Sequence, residues 1–182
     1  NVSKDNVVLT ALFDMPEVKA QLMLRYDISA AGEVNVTQKM TTDKEVQVAD
    51  LFRFGLQLQM PATFSKLEYY PYIRPQESGN HTDIRYFSIF NPTTGKGITF
   101  EGYEPMECSA IPYLVEDLDS GIEKTHAWGQ HSGDLVDKGL VQLHIQKCQY
   151  PLGCIDSWMT KPMEKYRLHY ADREFTFKIK AK

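Results

Sequence analysis

The sequence predicts an all-β domain, an antiparallel sandwich with very little helix, on three observations. Apolar and polar residues alternate with a period of two in several short stretches. Turn-forming residues separate these stretches from one another. One stretch alone, Tyr113–Lys124, has the apolar spacing of a helix, and Pro112 precedes it. This combination argues against a nucleotide-binding α/β fold, in which strands and helices alternate.

The clearest strand pattern lies at Leu51–Met60, where every second residue from Phe52 onward is apolar and arginine, glycine and glutamine lie between. We expect this strand to bury one face on a core and to expose the other. The same alternation predicts strands at 22–26, 33–37, 84–89, 141–145 and 175–179. Turn signals at 31–33, 78–80, 91–95 and 172–173 separate them.

Composition describes an ordinary globular chain. The 182 residues are 42% hydrophobic and 24% charged, and the net charge is −4 with lysine and arginine spread along the chain. This balance argues against nucleic acid or an anionic membrane as the main partner. No apolar run reaches the length of a membrane span. We expect a single domain, 1–182, and because the chain opens on Asn1 we expect it to be a piece of a longer protein whose compartment the sequence does not indicate.

The sequence predicts no metal site. Cys108, Cys148 and Cys154 fit no zinc or redox spacing, so we expect free, partly buried thiols. The acidic run that begins at Glu116 resembles a calcium loop, but Gly121 stands where an oxygen ligand belongs and Trp128 stands at the position of the closing glutamate. A solvated helix face is the better interpretation of that run.

Histidines and glutamates do not define a catalytic site in the sequence. His144 and His169 fall on the polar side of strand patterns, so we expect surface imidazoles. Glu101, Glu104 and Glu107 fall in a predicted loop. A glycosidase needs two carboxyl groups in contrasting environments, and nothing in the sequence supplies that contrast.

The segment Gly153–Pro162 carries Trp158, one of only two tryptophans, between a glycine and a proline. The indole could close the open end of the sandwich, or it could stack on the apolar face of a sugar ring. Local chemistry favours closure of the sandwich and leaves both interpretations open.

Four stretches together resemble a known family. They are Arg53–Leu58, then Pro75–Asn80 with Asp83–Arg85, then Gly153 with Asp156-Ser157-Trp158, and finally Glu164–Leu168. In this order the chain is similar to the C-terminal domain, also called the small chain or fifth domain, of bacterial β-galactosidases of glycoside hydrolase family 2. The resemblance covers essentially the whole chain and is firmest from about Leu51 to Ile179.

The resemblance implies an antiparallel β-supersandwich like that of galactose mutarotases. It implies that the parent enzyme hydrolyses terminal β-galactosides such as lactose with retention of configuration, and that the parent is a homo-oligomer. In the family, both catalytic glutamates and the magnesium site belong to an upstream (β/α)₈ barrel domain. We therefore expect no catalytic residue, metal or cofactor in this chain, and no activity from the chain alone.

The resemblance assigns one functional residue, Trp158, which would reach from this domain into the mouth of the barrel and contact the sugar. The chain departs from the family pattern at Cys154 and Ile155, where relatives often have glycine and an acid. It also joins Tyr70 directly to Pro71, where relatives have a further segment. We expect a flexible loop to be missing from the sequence between these two residues.

Two other functions stay open: a free-standing carbohydrate-binding module and a mutarotase-like sugar epimerase. An epimerase needs a histidine and a glutamate that face the sugar across a concave sheet, and the sequence identifies no such pair. An accessory domain of a larger enzyme should instead expose an apolar docking patch.

Overall fold

The computed structural model describes residues 2–64, 79–118, 137–151 and 160–182. The strands in these ranges are β1 (Asn6–Met15), β2 (Ala20–Ser29), β3 (Val34–Thr42), β4 (Arg53–Pro61), β5 (His81–Phe90), β6 (Gly97–Ile111), β7 (Leu140–Gln149) and β8 (Arg173–Ala181). One short helix, α1, runs from Val115 to Leu118. The predicted all-β fold with very little helix is confirmed.

The described strands form one antiparallel sheet in the order β1–β2–β3–β8–β6–β7–β4, and β5 pairs with the other edge of β6. The long strand β6 joins the two parts of the sheet, because its first half pairs with β8 and its second half with β7. Between these halves the strand bends at Gly102, where a Cβ would overlap the carbonyl oxygen of Glu104. The sheet curls as a result into a half-barrel with an inner and an outer face.

The inner face holds the hydrophobic core. Phe175 and Phe177 project from the same face of β8 with ring centroids 5.2 Å apart, and Phe100 of β6 lies 6.2 Å from Phe177. All three rings are at most 1% exposed. Leu143 and Ile145 of β7 join the same buried cluster. Burial of these large side chains supplies the main driving force for folding of this sheet.

All six strand patterns found in the sequence lie within or across observed strands, namely β2, β3, β4, β5, β7 and β8. The strands β1 and β6 were not predicted. β6 contains Pro105 and two glycines, which usually interrupt a strand. The expectation that Glu101, Glu104 and Glu107 lie in a loop is wrong, because all three belong to β6.

Of the helix predicted at Tyr113–Lys124, the described residues contain one turn, α1; Tyr113 and Leu114 precede it, and the residues after Leu118 lie outside the described part of the chain. Among the described residues, no helix is long and apolar enough to cross a membrane.

Candidate functional site

Trp158 and Cys154 lie in residues 152–159, which are outside the described part of the chain. Tyr70 and Pro71, in residues 65–78, are outside it as well. The described residues on both sides of 152–159 nevertheless define where this segment leaves the sheet and where the chain returns to it.

The segment leaves the sheet at the end of β7. There the backbone N–H of Tyr150 donates to the carbonyl oxygen of Phe52 at 2.7 Å. The two rings meet edge to face, with centroids 6.5 Å apart and an interplanar angle of 70°. The departure point is thus held against the residue that precedes β4.

The chain returns from the segment onto the same stretch. The backbone N–H of Leu51 donates to the carbonyl oxygen of Leu168 at 2.7 Å, and Leu168 is buried. Nε of Arg167 donates to Oδ2 of Asp50 at 2.8 Å. We call Asp50, Leu51 and Phe52 the anchor, because these three consecutive residues hold both flanks of the segment that carries Trp158.

Charges reinforce the return side of the anchor. Arg167 also donates to Glu164 at 2.9 Å, and the imidazole of His169 lies between Asp50 at 2.9 Å and Glu164 at 2.6 Å. The Arg167 guanidinium lowers the pKa of Asp50, and His169 contributes to the same shift. The hydrogen bond with His169, followed by that from Arg167, lowers the pKa of Glu164. The four side chains form a closed ring of two carboxylates and two basic groups, which suits a structural tie.

The expectation that His169 is a surface imidazole in a strand is wrong in one respect. The side chain is 45% exposed, but the residue lies outside the strands, between the turn at Glu164–Tyr166 and β8. The imidazole lies between the carboxylates of Asp50, which is 119 positions away in sequence, and Glu164, which is 5 positions away. No local pattern could therefore have indicated it.

A second polar cluster lies on the outer face of β4, β7 and β6. His144 of β7 is 1% exposed, so its prediction as a surface imidazole is wrong. Its Nδ1 lies 3.0 Å from Oγ of Ser109 and its Nε2 lies 3.3 Å from Oε1 of Gln57. β7 is buried on both faces: Val141, Leu143 and Ile145 point to one face, and Gln142, His144 and Gln146 point to the other.

Glu107 belongs to the same outer face. It pairs in register with Gln146, beside the pair Ser109–His144. Nδ2 of Asn80 donates to Glu107 at 3.0 Å, and burial raises the pKa of Glu107. Glu101 and Glu104 instead form ion pairs with lysines, at 2.7 Å and 2.8 Å. The sheet thus supplies the contrast between carboxyl environments that the sequence did not show.

The structure also brings a histidine and a glutamate, His144 and Glu107, to one face of neighbouring strands, where the sequence identified no such pair. Both side chains hydrogen-bond with groups of the domain itself, Ser109 and Gln57 for His144 and Asn80 for Glu107. The buried amides of Gln142 and Gln146 lie on the same face. Among the described residues, Nε2 of Gln142 and Oε1 of Gln146 have no hydrogen-bond partner, so this face is only partly satisfied. Its burial nevertheless argues against an open catalytic cleft.

Potential metal ligands do not cluster in the described ranges, where no group of three or more histidine, cysteine or acidic side chains could hold a metal ion. Cys108 and Cys148 are free thiols, one buried and one partly buried, as predicted. Burial raises the pKa of Cys108 to about 12, so this thiol is a packing group rather than a nucleophile.

These features define the chain as an all-β antiparallel domain with a buried polar face on β7. The family model described as "Beta galactosidase small chain" matches residues 1–70 and 68–179. The chain belongs to this family of β-galactosidase small-chain domains.

Several curated relatives are similar to most of the chain. A β-galactosidase of Priestia megaterium is 24% identical over 201 residues, which cover 94% of this chain and 18% of the relative. The β-galactosidase BgaC of Bifidobacterium adolescentis is 23% identical, with 90% of this chain and 18% of the relative covered. A β-galactosidase of Lactobacillus delbrueckii subsp. bulgaricus is 24% identical, with 88% and 18% covered. The chain therefore spans less than a fifth of the length of these relatives.

The alignment with the Priestia megaterium relative spans 201 positions, whereas the chain has 182 residues, so the relative carries residues that this chain lacks. The two segments of the family match meet at residues 68–70. The loop expected between Tyr70 and Pro71 stays a prediction.

Proposed function

We propose that this chain is an accessory domain of a retaining β-galactosidase, which packs against an upstream barrel domain and supplies Trp158 to the sugar site. The barrel would provide both catalytic carboxylates and the magnesium ion. In such an enzyme the small chain closes one side of the site, and the indole offers an apolar face to the galactose ring. A β-galactoside and the barrel are then its partners, and the chain alone hydrolyses nothing.

The observation that carries this proposal is the family match over nearly the whole chain, together with relatives of which the chain is less than a fifth. A glycosidase that retains configuration needs two carboxyl groups about 5–5.5 Å apart in one open site. The carboxylates of Glu101, Glu104 and Glu107 are instead engaged in ion pairs or internal hydrogen bonds. This distribution favours a domain that contributes contacts rather than chemistry.

The anchor supports the role of Trp158. A residue that must present its ring to a neighbouring domain has to emerge from a fixed base, because each loosely held side chain costs ordering entropy on binding. Asp50, Leu51 and Phe52 provide such a base for both flanks of the segment. The flanks are held by backbone hydrogen bonds, an aromatic contact and a salt bridge.

The epimerase alternative gains one observation, the placement of His144 and Glu107 on one face. Those two residues would need to exchange protons with a sugar, and a general acid or base must reach its substrate. With His144 at 1% exposure, a sugar could reach it only after part of the domain moved away. We therefore keep the accessory role as the proposal.

The test is steady-state hydrolysis of lactose by the full-length β-galactosidase that contains this chain. Trp158→Ala should lower kcat/KM about tenfold, equivalent to about 1.4 kcal/mol, while Trp158→Phe should retain most of it. Tyr86→Ala is the control, since Tyr86 is 69% exposed on β5. An unchanged kcat/KM in Trp158→Ala would contradict the proposed contact.

The isolated 182-residue chain provides the second measurement. Titration with galactose and lactose, followed by tryptophan fluorescence, should give no saturable binding, and a chromogenic galactoside should not be turned over. Saturable binding at micromolar sugar would contradict the accessory role and favour a free-standing carbohydrate-binding module.

A further inference from the structure

The strand β1 has an unprotected edge. Its whole length pairs with β2 on one side, from Asn6 with Ser29 to Met15 with Ala20. On the other side, the described residues provide a single bridge, between Val2 and Val7. The edge from Leu9 to Met15 therefore has no strand partner among them. Natural edge strands usually carry lysine, proline or a bulge, whereas the only charged residue in β1 is Asp14.

The inner face of β1 is also incompletely covered. Leu9 is 54% exposed and Phe13 is 49% exposed. Leu9 begins a row of paired residues that crosses the sheet through Tyr26 and Val36 to Phe177. Val36 and Phe177 are completely buried. The apolar layer that forms the core thus continues to the edge of the sheet, where Leu9 and Phe13 stay about half exposed.

The direction of the chain next to β1 indicates what could cover it. Val2 pairs antiparallel with Val7, and the N–H of Ser3 donates to the carbonyl oxygen of Asn6 at 2.8 Å, so residues 2–7 make a tight reversal. Polypeptide that preceded Val2 in extended form would run antiparallel to β1. Traced backwards from Val2, this polypeptide would lie beside Leu9 first and beside Phe13 further upstream, along the unpaired edge.

We propose that the edge of β1 from Leu9 to Met15 is the pairing site for a β-strand of the same β-galactosidase polypeptide, formed by residues that precede Val2 in the full-length enzyme. This inference rests on the proposed function, in which the chain is one part of a longer enzyme. Apolar side chains of the added strand and of its neighbours cover Leu9 and Phe13. The main-chain hydrogen bonds fix the register, as in other cases of strand addition.

The upstream polypeptide fits this edge better than a second copy of the chain does. A second copy could pair only along Leu9–Met15, because Val2 occupies the edge at Val7 in each copy. It would there compete with polypeptide that the reversal at residues 2–7 already directs along the same edge. The relatives, by contrast, have more than four fifths of their length outside the matched region.

Amide hydrogen exchange can test the proposal on two samples, the 182-residue chain and the full-length enzyme. Peptides that cover Leu9–Met15 should exchange at least tenfold more slowly in the full-length enzyme, whereas peptides of β8, which is paired on both sides, should differ little. Equal exchange of β1 in the two samples would overturn the proposal. Protection of β1 in the isolated chain that increases with its concentration would also overturn it, in favour of a second copy.

A pair of variants tests the inner face. Leu9→Asp should change the Tm of the isolated chain by less than about 2 °C, since Leu9 is half exposed there, and should lower the Tm of the full-length enzyme by at least about 5 °C. Leu12→Asp is the matched control on the opposite face of β1, where Leu12 is 62% exposed, and should have little effect in either sample. If Leu9→Asp leaves the full-length enzyme unaltered, the inner face has no cover and the proposal fails.

These outcomes can be distinguished from those of the test of the proposed function. An enzyme that loses activity in Trp158→Ala but shows no protection of β1 would retain the accessory role and reject the pairing site. Protection of β1 with no effect of Trp158→Ala would retain the pairing site and reject the proposed contact of Trp158 with the sugar.

Discussion

Arg167 donates through Nε to Oδ2 of Asp50 at 2.8 Å, across 117 residues of sequence. Asp50 is followed by Leu51 and Phe52. Leu51 hydrogen-bonds with Leu168 after the segment that carries Trp158, and Phe52 hydrogen-bonds with Tyr150 before it. The Asp50 side chain is only 15% exposed, so water screens this ion pair less than it screens a surface pair. Asp50 thereby links the stability of the sheet to the geometry of the segment proposed to meet the sugar.

The first prediction concerns Asp50→Asn. The pKa of Asp50 and of Glu164 is lower in the folded chain than in the unfolded chain, so these carboxylates stabilise the fold above the unfolded value of about 4. This contribution is lost as the pH falls through the lower, folded values. Asp50→Asn should therefore lower Tm at pH 7, and the difference from the parent chain should shrink as the pH falls below the unfolded value of about 4. Thermal unfolding followed by circular dichroism measures both.

Glu174→Gln is the control for Asp50→Asn. Glu174 lies 3.8 Å from Lys39 in a surface pair with both side chains more than half exposed. Its replacement should change Tm little at either pH. A similar loss in both variants would show that the tie at Asp50 is no stronger than an ordinary surface pair.

The second prediction concerns Gly55, which lies beside a bulge between β4 and β7. A Cβ at this position would overlap the backbone of Gln146. Gly55→Ala should therefore cost about 1–3 kcal/mol or more in the free energy of unfolding, because backbone has to shift. Gly139→Ala is the comparison, since Gly139 has a φ of +66° with open space around it, and should cost only about 1 kcal/mol. Urea titration that ranked the two variants in the opposite order would show that close approach at Gly55 does not fix this bulge.

The third prediction concerns the core. Phe177 is completely buried between Phe100 and Phe175, so Phe177→Ala should cost about 3–5 kcal/mol through lost burial and a cavity. Phe52→Ala, at a ring that is 81% exposed, should cost less than about 1 kcal/mol. Chemical denaturation of both variants gives the comparison. Comparable losses would mean that Phe177 does not occupy the centre of the core.

The fourth prediction concerns thiol reactivity. With a pKa of about 12 and no exposed surface, Cys108 should resist an aromatic disulfide reagent at pH 8 in the folded chain. The variant Cys148→Ser/Cys154→Ser leaves Cys108 as the sole cysteine. Its reaction should be slow in buffer and fast in concentrated guanidinium chloride. Fast reaction in buffer would place Cys108 at the surface.

The strands that the sequence predicted are those with one apolar and one polar face. The alternation at Leu51–Met60 predicted β4 correctly, because a half-buried strand has apolar residues on its buried face and polar residues on its exposed face. β1 exposes large apolar residues on both faces, and β6 changes partners at a bend, so neither keeps one period along its length. β6 also pairs with β7 and β8, which are distant in sequence, and no local pattern reports those partners.

The candidate site was predicted as a single residue, Trp158, through the family resemblance. The residues that hold its flanks were not predicted. Asp50 precedes β4 and Arg167 precedes β8, so these two residues, 117 positions apart, meet only in the folded chain. Each looks like an ordinary surface charge in sequence. His144 was misassigned for the same reason, since a polar residue on a strand is expected to face solvent unless a further layer covers it.

The sequence by itself determined the fold class, the periodicity of most strands, the two free thiols and the family. Each of these depends on residue types that are close in sequence or on motifs in a fixed order. The tertiary structure alone decided that β7 is buried on both faces and that the anchor Asp50–Phe52 holds both flanks of the Trp158 segment. It also decided that β1 ends the sheet with an edge that no other described strand pairs beyond Val7. Those facts depend on which distant strands become neighbours, and burial and charge pairing exist only after the sheet has closed around them.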